Sequence, residues 1–299
     1  MIERRKFGAT DMEVSILGFG GAEIGYENAP QEDVNKLLNE ALDAGLNVID
    51  TAECYPNSEE KIGKAVGHRR KEFYLFTKCG HTDDWKSDWR KESLLASIER
   101  SLRRLKTDYV DLVQLHSCDE ATLRAGEAIE ALEEAKRRGY TRYIGYSGDS
   151  TAALYAIECG RFDTLQTSIN VADQEALELT LPKARARNMG VIAKRPVANA
   201  AWRYGDTPPT EPYHTVYWER LRKLNYPFTQ KPLSEAVAIA LRFTLSQPGV
   251  HTAIVGTKKP GRWLENARAL SAGPLPQHEI ENIRKRWKEI AQPDWIGQV

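Results

Sequence analysis

The sequence predicts an α/β fold, a closed (β/α)8 or TIM barrel of parallel strands. Eight short apolar segments recur along the chain, and amphipathic segments with helical spacing separate most of them. This alternation favours a parallel sheet, because parallel strands need a crossover connection that is usually a helix. The 299 residues exceed the roughly 250 that such a barrel typically needs. We therefore expect a single barrel domain over residues 1–299.

The elements follow one another in a regular order. The eight predicted strands cover residues 14–19, 46–50, 73–78, 109–116, 141–147, 164–169, 190–195 and 252–257. The predicted helices cover residues 32–44, 92–105, 121–138, 174–188 and 234–246, and a last helix lies near 277–291. Gly45 is typical of the residue that ends a helix, and it closes the first of them.

Two segments depart from a simple alternation. Gly8 and Asp11 separate short extended stretches before the first barrel strand, which predicts an N-terminal β-hairpin. Residues 196–232 form a loop after the seventh strand that is too long for an ordinary βα connection and is rich in aromatic residues. We expect it either to form a lid or pocket wall at the active face or to pack on the barrel as an insertion.

The composition limits the possible partners. Lys plus Arg and Asp plus Glu both total 42, so the charge balance favours neither nucleic acid nor an anionic membrane. The N-terminus lacks the apolar region of a secretory signal, and no apolar stretch approaches 18 residues. We therefore expect a cytoplasmic protein that does not enter a membrane.

Four cysteines are present, and they form no CxxC pair. Cys54, Cys79 and Cys118 each lie within two residues of an ionisable residue described below. The favoured interpretation is reduced thiols packed near strand ends and no metal site. The alternative is a metal-binding or oxidation-sensitive cluster.

Ionisable side chains occur where the predicted strands end. Asp50 ends LNVID, Tyr55 follows it closely, Lys78 ends FYLFTK, and His116 ends YVDLVQLH. In a barrel of parallel strands these ends meet at one rim, which carries the chemistry. An acid, a phenol, an amine and an imidazole together indicate proton transfer. Satisfied polar caps are the structural alternative, which the joint occurrence of all four disfavours.

In this order the chain resembles the aldo-keto reductase family, with matching stretches over roughly residues 3–270. They are VSILGFGG, NVIDTAECY, LFTKCG, YVDLVQLH, IGYSGD, LQTSIN and IVGTKKPGRWLENA. The resemblance implies the same barrel and an NADPH-dependent oxidoreductase that reduces an aldehyde or ketone, or oxidises an alcohol in reverse. The implied partner is a small carbonyl or alcohol substrate.

We call Asp50, Tyr55, Lys78 and His116 the quartet. The resemblance also implies a role for each of these four residues. The nicotinamide supplies a hydride from C4, and Tyr55 supplies the proton. Lys78 would favour the phenolate and lower the cost of proton release, while Asp50 pairs with Lys78. His116 would orient the carbonyl oxygen. Two alternatives are an NADP(H)-binding regulatory or scaffold protein of this fold and, more weakly, a barrel hydrolase or lyase.

The nicotinamide end of the implied cofactor site departs from the family pattern. No GxGxxG motif follows a strand, so a Rossmann fold is not indicated. Ser147 and Gln166 match family residues that hold the carboxamide, but Gly148 replaces the usual Asn. Lys194 stands where many members have an aromatic ring, and Arg195 follows it. These two cations are expected to approach the pyrophosphate or a polar substrate, or else to be a solvated pair.

The phosphate end matches the family more closely. The last predicted strand runs into Gly256, Thr257 and Lys258, where main-chain N–H groups at the start of the following helix favour a phosphate. Arg262 matches a residue that reaches the 2′-phosphate, which favours NADPH over NADH, and Lys258 is a second candidate. The remaining implied contacts are Glu265 and Asn266 around the adenine, Asp50, and Gly20, Gly21 and Ala22 after the first strand.

Aromatic residues in the βα loops are candidates for a substrate pocket. Trp85 and Trp89 lie four residues apart after the third strand, and Tyr26 and Trp202 lie in other loops. We expect these four to line an apolar pocket beside Tyr55 and His116. The alternative is that the two loop tryptophans only anchor their loop.

Overall fold

The structure, a computed structural model, describes residues 2–82 and 84–298, and the strands below are those of this part of the chain. They are β1 (Arg4–Lys6), β2 (Glu13–Ser15), β3 (Leu17–Gly20), β4 (Val48–Asp50), β5 (Tyr74–Cys79), β6 (Val110–His116), β7 (Thr141–Ser147), β8 (Thr164–Ser168), β9 (Gly190–Lys194) and β10 (Thr252–Gly256). Strands β3 to β10 pair in parallel with their neighbours. Strand β10 pairs with both β9 and β3, which closes the barrel and confirms the predicted fold.

Helices surround the barrel. The α-helices are α1 (Ala22–Tyr26), α2 (Gln31–Asp43), α3 (Ser58–Val66), α4 (Lys91–Leu105), α5 (Glu120–Ala125), α6 (Glu127–Arg137), α7 (Ser150–Glu158), α8 (Ala176–Leu179), α9 (Leu181–Ala186), α10 (Pro212–Leu224), α11 (Leu233–Leu245), α12 (Arg262–Ala269) and α13 (Gln277–Ile290). Two predicted helices are divided. Gly126, with φ of +83°, separates α5 from α6, and a break at Thr180 separates α8 from α9.

The first predicted strand, residues 14–19, is two strands in the structure. Strand β2 pairs antiparallel with β1 in the predicted hairpin, and β3 enters the barrel. The hairpin covers the N-terminal end of the barrel, where the Phe7 ring stacks on Phe76 with centroids 5.9 Å apart. Its turn needs Gly8, because φ is +56° and a Cβ there would lie 2.4 Å from Gly190 N.

The main core lies between the barrel and its helices, and the long segment after β9 builds a second one. This segment is not a plain loop, because it contains a 3-10 turn (Ala198–Tyr204), α10 and a second 3-10 turn (Pro227–Gln230). Tyr217, Tyr226 and Phe228 from it pack with Trp287 and Trp295. Most of the segment is therefore an insertion packed on the barrel. Among the described residues, no helix is long and apolar enough to cross a membrane.

Candidate active site

Asp50 and Lys78 form a buried ion pair at the C-terminal end of the barrel. Lys78 Nζ donates to Asp50 Oδ1 and, over 2.9 Å, to the main-chain oxygen of Thr51. Both side chains are 1% exposed. The second carboxylate oxygen of Asp50 accepts hydrogen bonds from Gln114 Nε2 at 3.1 Å and Gln166 Nε2 at 2.9 Å. Because both oxygens have donors, the charge of Asp50 is compensated despite its burial.

Tyr55 and His116 complete the quartet. Their rings meet edge to face with centroids 5.8 Å apart, and Lys78 Nζ lies 5.3 Å from the centre of the Tyr55 ring. Burial, followed by the charge of Asp50, raises the pKa of Tyr55 well above its usual value. The expected effect of Lys78 on the phenolate stays a prediction, and the carboxylate of Asp50 lies against the same ammonium group. The phenol is therefore protonated at neutral pH.

His116 is a neutral imidazole. Burial, and after it the charges of Lys78 and His81, lower its pKa well below the usual value. Its Nδ1 lies 3.4 Å from Cys54 Sγ, which leaves Nε2 as the ring nitrogen for a ligand. A neutral imidazole at this position can donate or accept one hydrogen bond without adding charge to the site.

The loop after β5 brings His81 and two tryptophans to the quartet. The His81 ring lies 5.5 Å from His116 and 5.2 Å from both Trp85 and Trp89, measured between centroids. Trp89 fills the space beside Gly80, where a Cβ would lie 2.0 Å from it. The loop is thus folded back on the strand end. His81 was not among the residues predicted for the site, although it lies only three residues after Lys78.

Aromatic side chains from three segments, α1, the loop after β5 and α10, surround the mouth of the site. Tyr26 packs at 5.6 Å from Tyr55, and Tyr26, Trp85 and Tyr213 are 48%, 51% and 57% exposed. Tyr213, on α10, is held by a 2.6 Å hydrogen bond from Arg195 Nε to its hydroxyl. It was not among the predicted pocket residues, because its helix lies within the segment taken as a loop.

The structure places Trp202 in a different environment from the one predicted. Its ring packs edge to face on Phe228 at 6.1 Å, within the second core. This contact follows from the 3-10 turn that carries it, which turns inward toward α10 and α11. Of the four predicted pocket residues, Tyr26, Trp85 and Trp89 therefore lie by the quartet and Trp202 packs on the insertion.

Ser147 and Gln166 belong to the same hydrogen-bond network as the quartet. Ser147 Oγ donates to Gln166 Oε1 over 3.2 Å, and Gln166 reaches Asp50. The glycine at the neighbouring position 148 is explained by a steric constraint. A Cβ there would lie 2.3 Å from the Tyr146 hydroxyl, which donates to the main-chain oxygen of Cys118 over 2.7 Å. The Tyr146 ring occupies the space that an Asn side chain would need.

Lys194 is neither a solvated cation nor a free one. Its Nζ lies 2.8 Å from Asp149 Oδ2, and the two side chains are 10% and 2% exposed. Burial lowers the pKa of Lys194 to about 8, although Asp149 opposes this shift. Arg195 is likewise engaged, because its Nη1 donates to Ser168 Oγ over 2.9 Å and to the main-chain oxygen of Gln298.

Residues 295–298 lie across the ends of β7, β8 and β9. Gly297 N donates to Glu175 Oε2 over 2.7 Å, and Arg220 Nη2 donates to the Ile296 oxygen over 2.9 Å. A Cβ on Gly297 would lie 2.4 Å from Asp149 Cβ, so this segment touches the carboxylate that holds Lys194. We call residues 295–298 the tail.

The proposed phosphate end lies outside the barrel ends, next to α1 and α12. Gly20 and Gly256 are register partners of β3 and β10, and a Cβ on Gly20 would approach the Gly256 main chain at 3.5 Å. Lys258 Nζ lies 2.8 Å from Glu27, and Arg262 Nη1 lies 3.0 Å from Glu265. Each candidate cation is therefore paired with a carboxylate. The other predicted residues here are Gly21, Ala22, Thr257 and Asn266, of which Gly21 and Asn266 are buried.

The cysteines near the quartet are buried free thiols. Burial raises the pKa of Cys54 and of Cys118 to about 12, and that of Cys79 well above its usual value. Their thiols are therefore protonated at neutral pH. In the part of the chain that the structure describes, no group of three or more His, Cys, Asp or Glu residues is arranged to hold a metal ion.

Comparisons with known proteins agree with this architecture. The model of the Aldo/keto reductase family matches residues 16–288. The solved holo form of aldo-keto reductase AKR11C1 from Bacillus halodurans superposes with a TM-score of 0.85 at 28% identity, covering 99% of each chain. The uncharacterized oxidoreductase YqkF of Bacillus subtilis is 28% identical over 96% of this chain and 97% of its own. The L-galactose dehydrogenase of Arabidopsis thaliana is 28% identical over 99% of both.

Proposed function

This chain belongs to the aldo/keto reductase family, and from that premise we propose that it is an NADPH-dependent oxidoreductase that reduces an aldehyde or ketone to an alcohol. The observation that carries the proposal is the quartet of Asp50, Tyr55, Lys78 and His116, brought together at one end of a closed barrel. We further propose that residues 1–299 act as one cytoplasmic domain on a small-molecule substrate.

The described residues fit a nicotinamide dinucleotide. Gly20 and Gly256 end β3 and β10 side by side and form a glycine floor, over which we place a proposed cofactor groove. Ser147 and Gln166 offer hydrogen-bonding groups for a carboxamide at one end. Lys258 and Arg262 offer cations for a 2′-phosphate at the other. When bound, the cofactor supplies the hydride from C4 of its nicotinamide.

Tyr55 would then supply the proton. The phenol is the protonated form, which can donate to a carbonyl oxygen as negative charge develops there. The Lys78–Asp50 pair fixes the ammonium group close to the Tyr55 ring. The neutral His116 offers a second hydrogen bond to the same oxygen.

The substrate would enter between the exposed aromatic side chains. Tyr26 and Trp85, with Trp89 behind them, provide an apolar wall next to the quartet. Tyr213 and His81 extend this wall, and Arg195 holds Tyr213 in place. The proposed pocket leaves out Trp202, which packs on Phe228.

Nucleotide titration combined with a carbonyl panel tests the proposal. We expect NADPH to quench tryptophan fluorescence and to be consumed with a reactive aldehyde, as followed at its absorbance band. Tyr55→Phe should lower kcat by about 100-fold or more, because a general acid contributes on that order. Its affinity for NADPH should stay within about threefold, since the ring remains.

Tyr155→Phe, on the outer helix α7, is the matched control and should leave kcat unchanged. Full activity of Tyr55→Phe would contradict the proposed acid. Binding of NADP(H) with no turnover of any carbonyl would support a regulatory subunit in place of an enzyme.

A further inference from the structure

The carboxylate of Glu23 occupies the side-chain space of another residue. A Cβ built on Gly256 would lie 1.5 Å from Glu23 Oε2 and 2.1 Å from its Cδ. Residue 256 must therefore be glycine for Glu23 to keep this position. Gly256 ends β10 opposite Gly20 of β3, so the carboxylate lies on the glycine floor of the proposed cofactor groove.

Glu23 differs from the other acids of this region in its partners. Glu27 pairs with Lys258, and Glu265 pairs with Arg262. Among the residues that the structure describes, Glu23 forms no ion pair, and its carboxylate accepts a hydrogen bond from its own main-chain N–H. The residue is partly exposed, and burial, followed by the nearby Glu27, raises the pKa of its carboxyl to about 7.

A carboxylate that accepts one main-chain hydrogen bond has lone pairs left for further donors. The position of Glu23 indicates which ligand groups could supply them. The groove passes from Gln166 and Ser147, which fit the carboxamide, over the glycine floor to Lys258 and Arg262, which fit the 2′-phosphate. Between those ends, on the nicotinamide side of the adenosine ribose that carries the 2′-phosphate, a dinucleotide has two parts, the nicotinamide ribose and the pyrophosphate.

These two parts have opposite chemistry toward a carboxylate. A pyrophosphate is anionic and has no hydrogen-bond donor, so it would be repelled. Ribose hydroxyls are donors that a carboxylate binds strongly. We propose that Glu23 is a further cofactor-binding residue, whose carboxylate accepts a hydrogen bond from a ribose hydroxyl of the nicotinamide half of NADP(H). This inference rests on the proposed function, because it needs a dinucleotide in the groove.

A pair of ligands tests it by direct binding. NADPH contains the nicotinamide ribose, whereas 2′,5′-ADP contains only the adenosine half with its 2′-phosphate. We expect Glu23→Ala to weaken NADPH by about tenfold, the size of one charge-assisted hydrogen bond, and to leave 2′,5′-ADP within about twofold. Glu23→Gln keeps an acceptor oxygen without the charge and should give a smaller loss of NADPH affinity, which also covers the case that the alanine variant fails to fold.

Glu27→Ala, at the residue that follows the same short helix, is the matched control. It frees Lys258 from its carboxylate and should tighten 2′,5′-ADP, opposite to any effect of Glu23→Ala. Unchanged or tighter NADPH binding by Glu23→Ala would overturn the inference, and so would an equal loss for both ligands. If the unmodified protein binds neither NADPH nor NADH, the proposed function itself fails. The two failures are thus distinguishable without measuring turnover.

Discussion

At the scale of single residues, Gly148 shows how one side chain fixes the identity of another. The Tyr146 ring and its hydrogen bond to Cys118 take up the space beside residue 148. Packing against Tyr146 therefore explains why residue 148 is glycine and not the Asn of the family pattern. The network of Ser147, Gln166 and Asp50 remains complete without an Asn at this position.

This packing predicts the cost of a substitution. Gly148→Ala should destabilise the protein by about 1–3 kcal/mol, because the new Cβ must displace the Tyr146 ring. Urea unfolding measures the change, and a second substitution, Tyr146→Leu, should recover part of it. Gly67→Ala is the control, since its φ is −54° and its Cβ would meet nothing closer than 3.7 Å. An equally small effect at both positions would contradict this explanation.

Arg262 carries the prediction on coenzyme preference. Its guanidinium is 41% exposed and pairs with Glu265, so a 2′-phosphate could bind it at little conformational cost. Arg262→Ala should weaken NADPH by about tenfold and NADH far less, as measured by fluorescence titration with each. Arg268→Ala, from the last turn of the same helix, should leave the ratio of the two affinities unchanged. Equal losses for NADPH and NADH at Arg262 would show that it does not read the 2′-phosphate.

At the scale of elements, helix α3 meets strand β5 through a buried acid. Glu59 is 1% exposed and accepts a 2.6 Å hydrogen bond from Thr77 Oγ1, beside Lys78. Burial raises its pKa to about 7, although Thr77 and Arg104 oppose the shift. The carboxyl is therefore close to half protonated at neutral pH, and its charge state affects how firmly α3 is held.

The raised pKa predicts a dependence of stability on pH. A group whose folded pKa is above its unfolded value of 4.5 stabilises fully below that value, and this contribution is lost as the pH rises through 7. Relative to Glu59→Gln, the wild-type free energy of unfolding should fall between pH 5 and 8 by up to roughly 3 kcal/mol. Urea unfolding at several pH values measures this. Glu32→Gln, exposed on α2, should show no such difference, and parallel curves for wild type and Glu59→Gln would contradict the shift.

The elements differ in how far their sequences determined them. Strands buried on both faces, such as β6 and β7, were predicted within a residue, because an apolar segment between turns has one interpretation in an alternating pattern. Residues 14–19 were predicted as one strand and form parts of two, β2 and β3, because hairpin strands and barrel strands contain the same residue types. Helix α10 was missed because prolines and scattered aromatic residues hide its periodicity.

At the scale of the whole molecule, some residues of the site could be predicted from the sequence and others could not. The quartet could be predicted because each member stands at or just after a strand end, and the barrel brings those ends together. Glu23, Tyr213 and the tail could not, since their positions depend on contacts between residues far apart in sequence. Gly297 against Asp149 is one example, and Glu23 against Gly256 is another.

The tail predicts a coupling between stability and the site. Trp295 is 8% exposed and packs on Trp287 at 5.5 Å, and Arg195 and Glu175 both bind tail main-chain atoms. Deleting residues 295–299 should destabilise the protein by about 3–5 kcal/mol, as loss of a buried Trp does. It should also raise KM, because Arg195 holds Tyr213. Ile296→Ala, at a side chain 47% exposed, is the control, and wild-type stability of the deletion would contradict the prediction.

The hairpin beneath the barrel has a consequence for traffic through the site. Phe7 stacks on Phe76 in a packed core that fills the barrel beneath the site, so the site is closed on that side. On the proposed mechanism, substrate, product and the proton that returns to Tyr55 all pass through the opening beside Tyr26, Trp85 and Tyr213. Three events must therefore occur one after another: the alcohol leaves, the phenol of Tyr55 is reprotonated from water, and the next carbonyl substrate binds. A bulky product that dissociates slowly therefore delays both the reprotonation of Tyr55 and the binding of the next substrate.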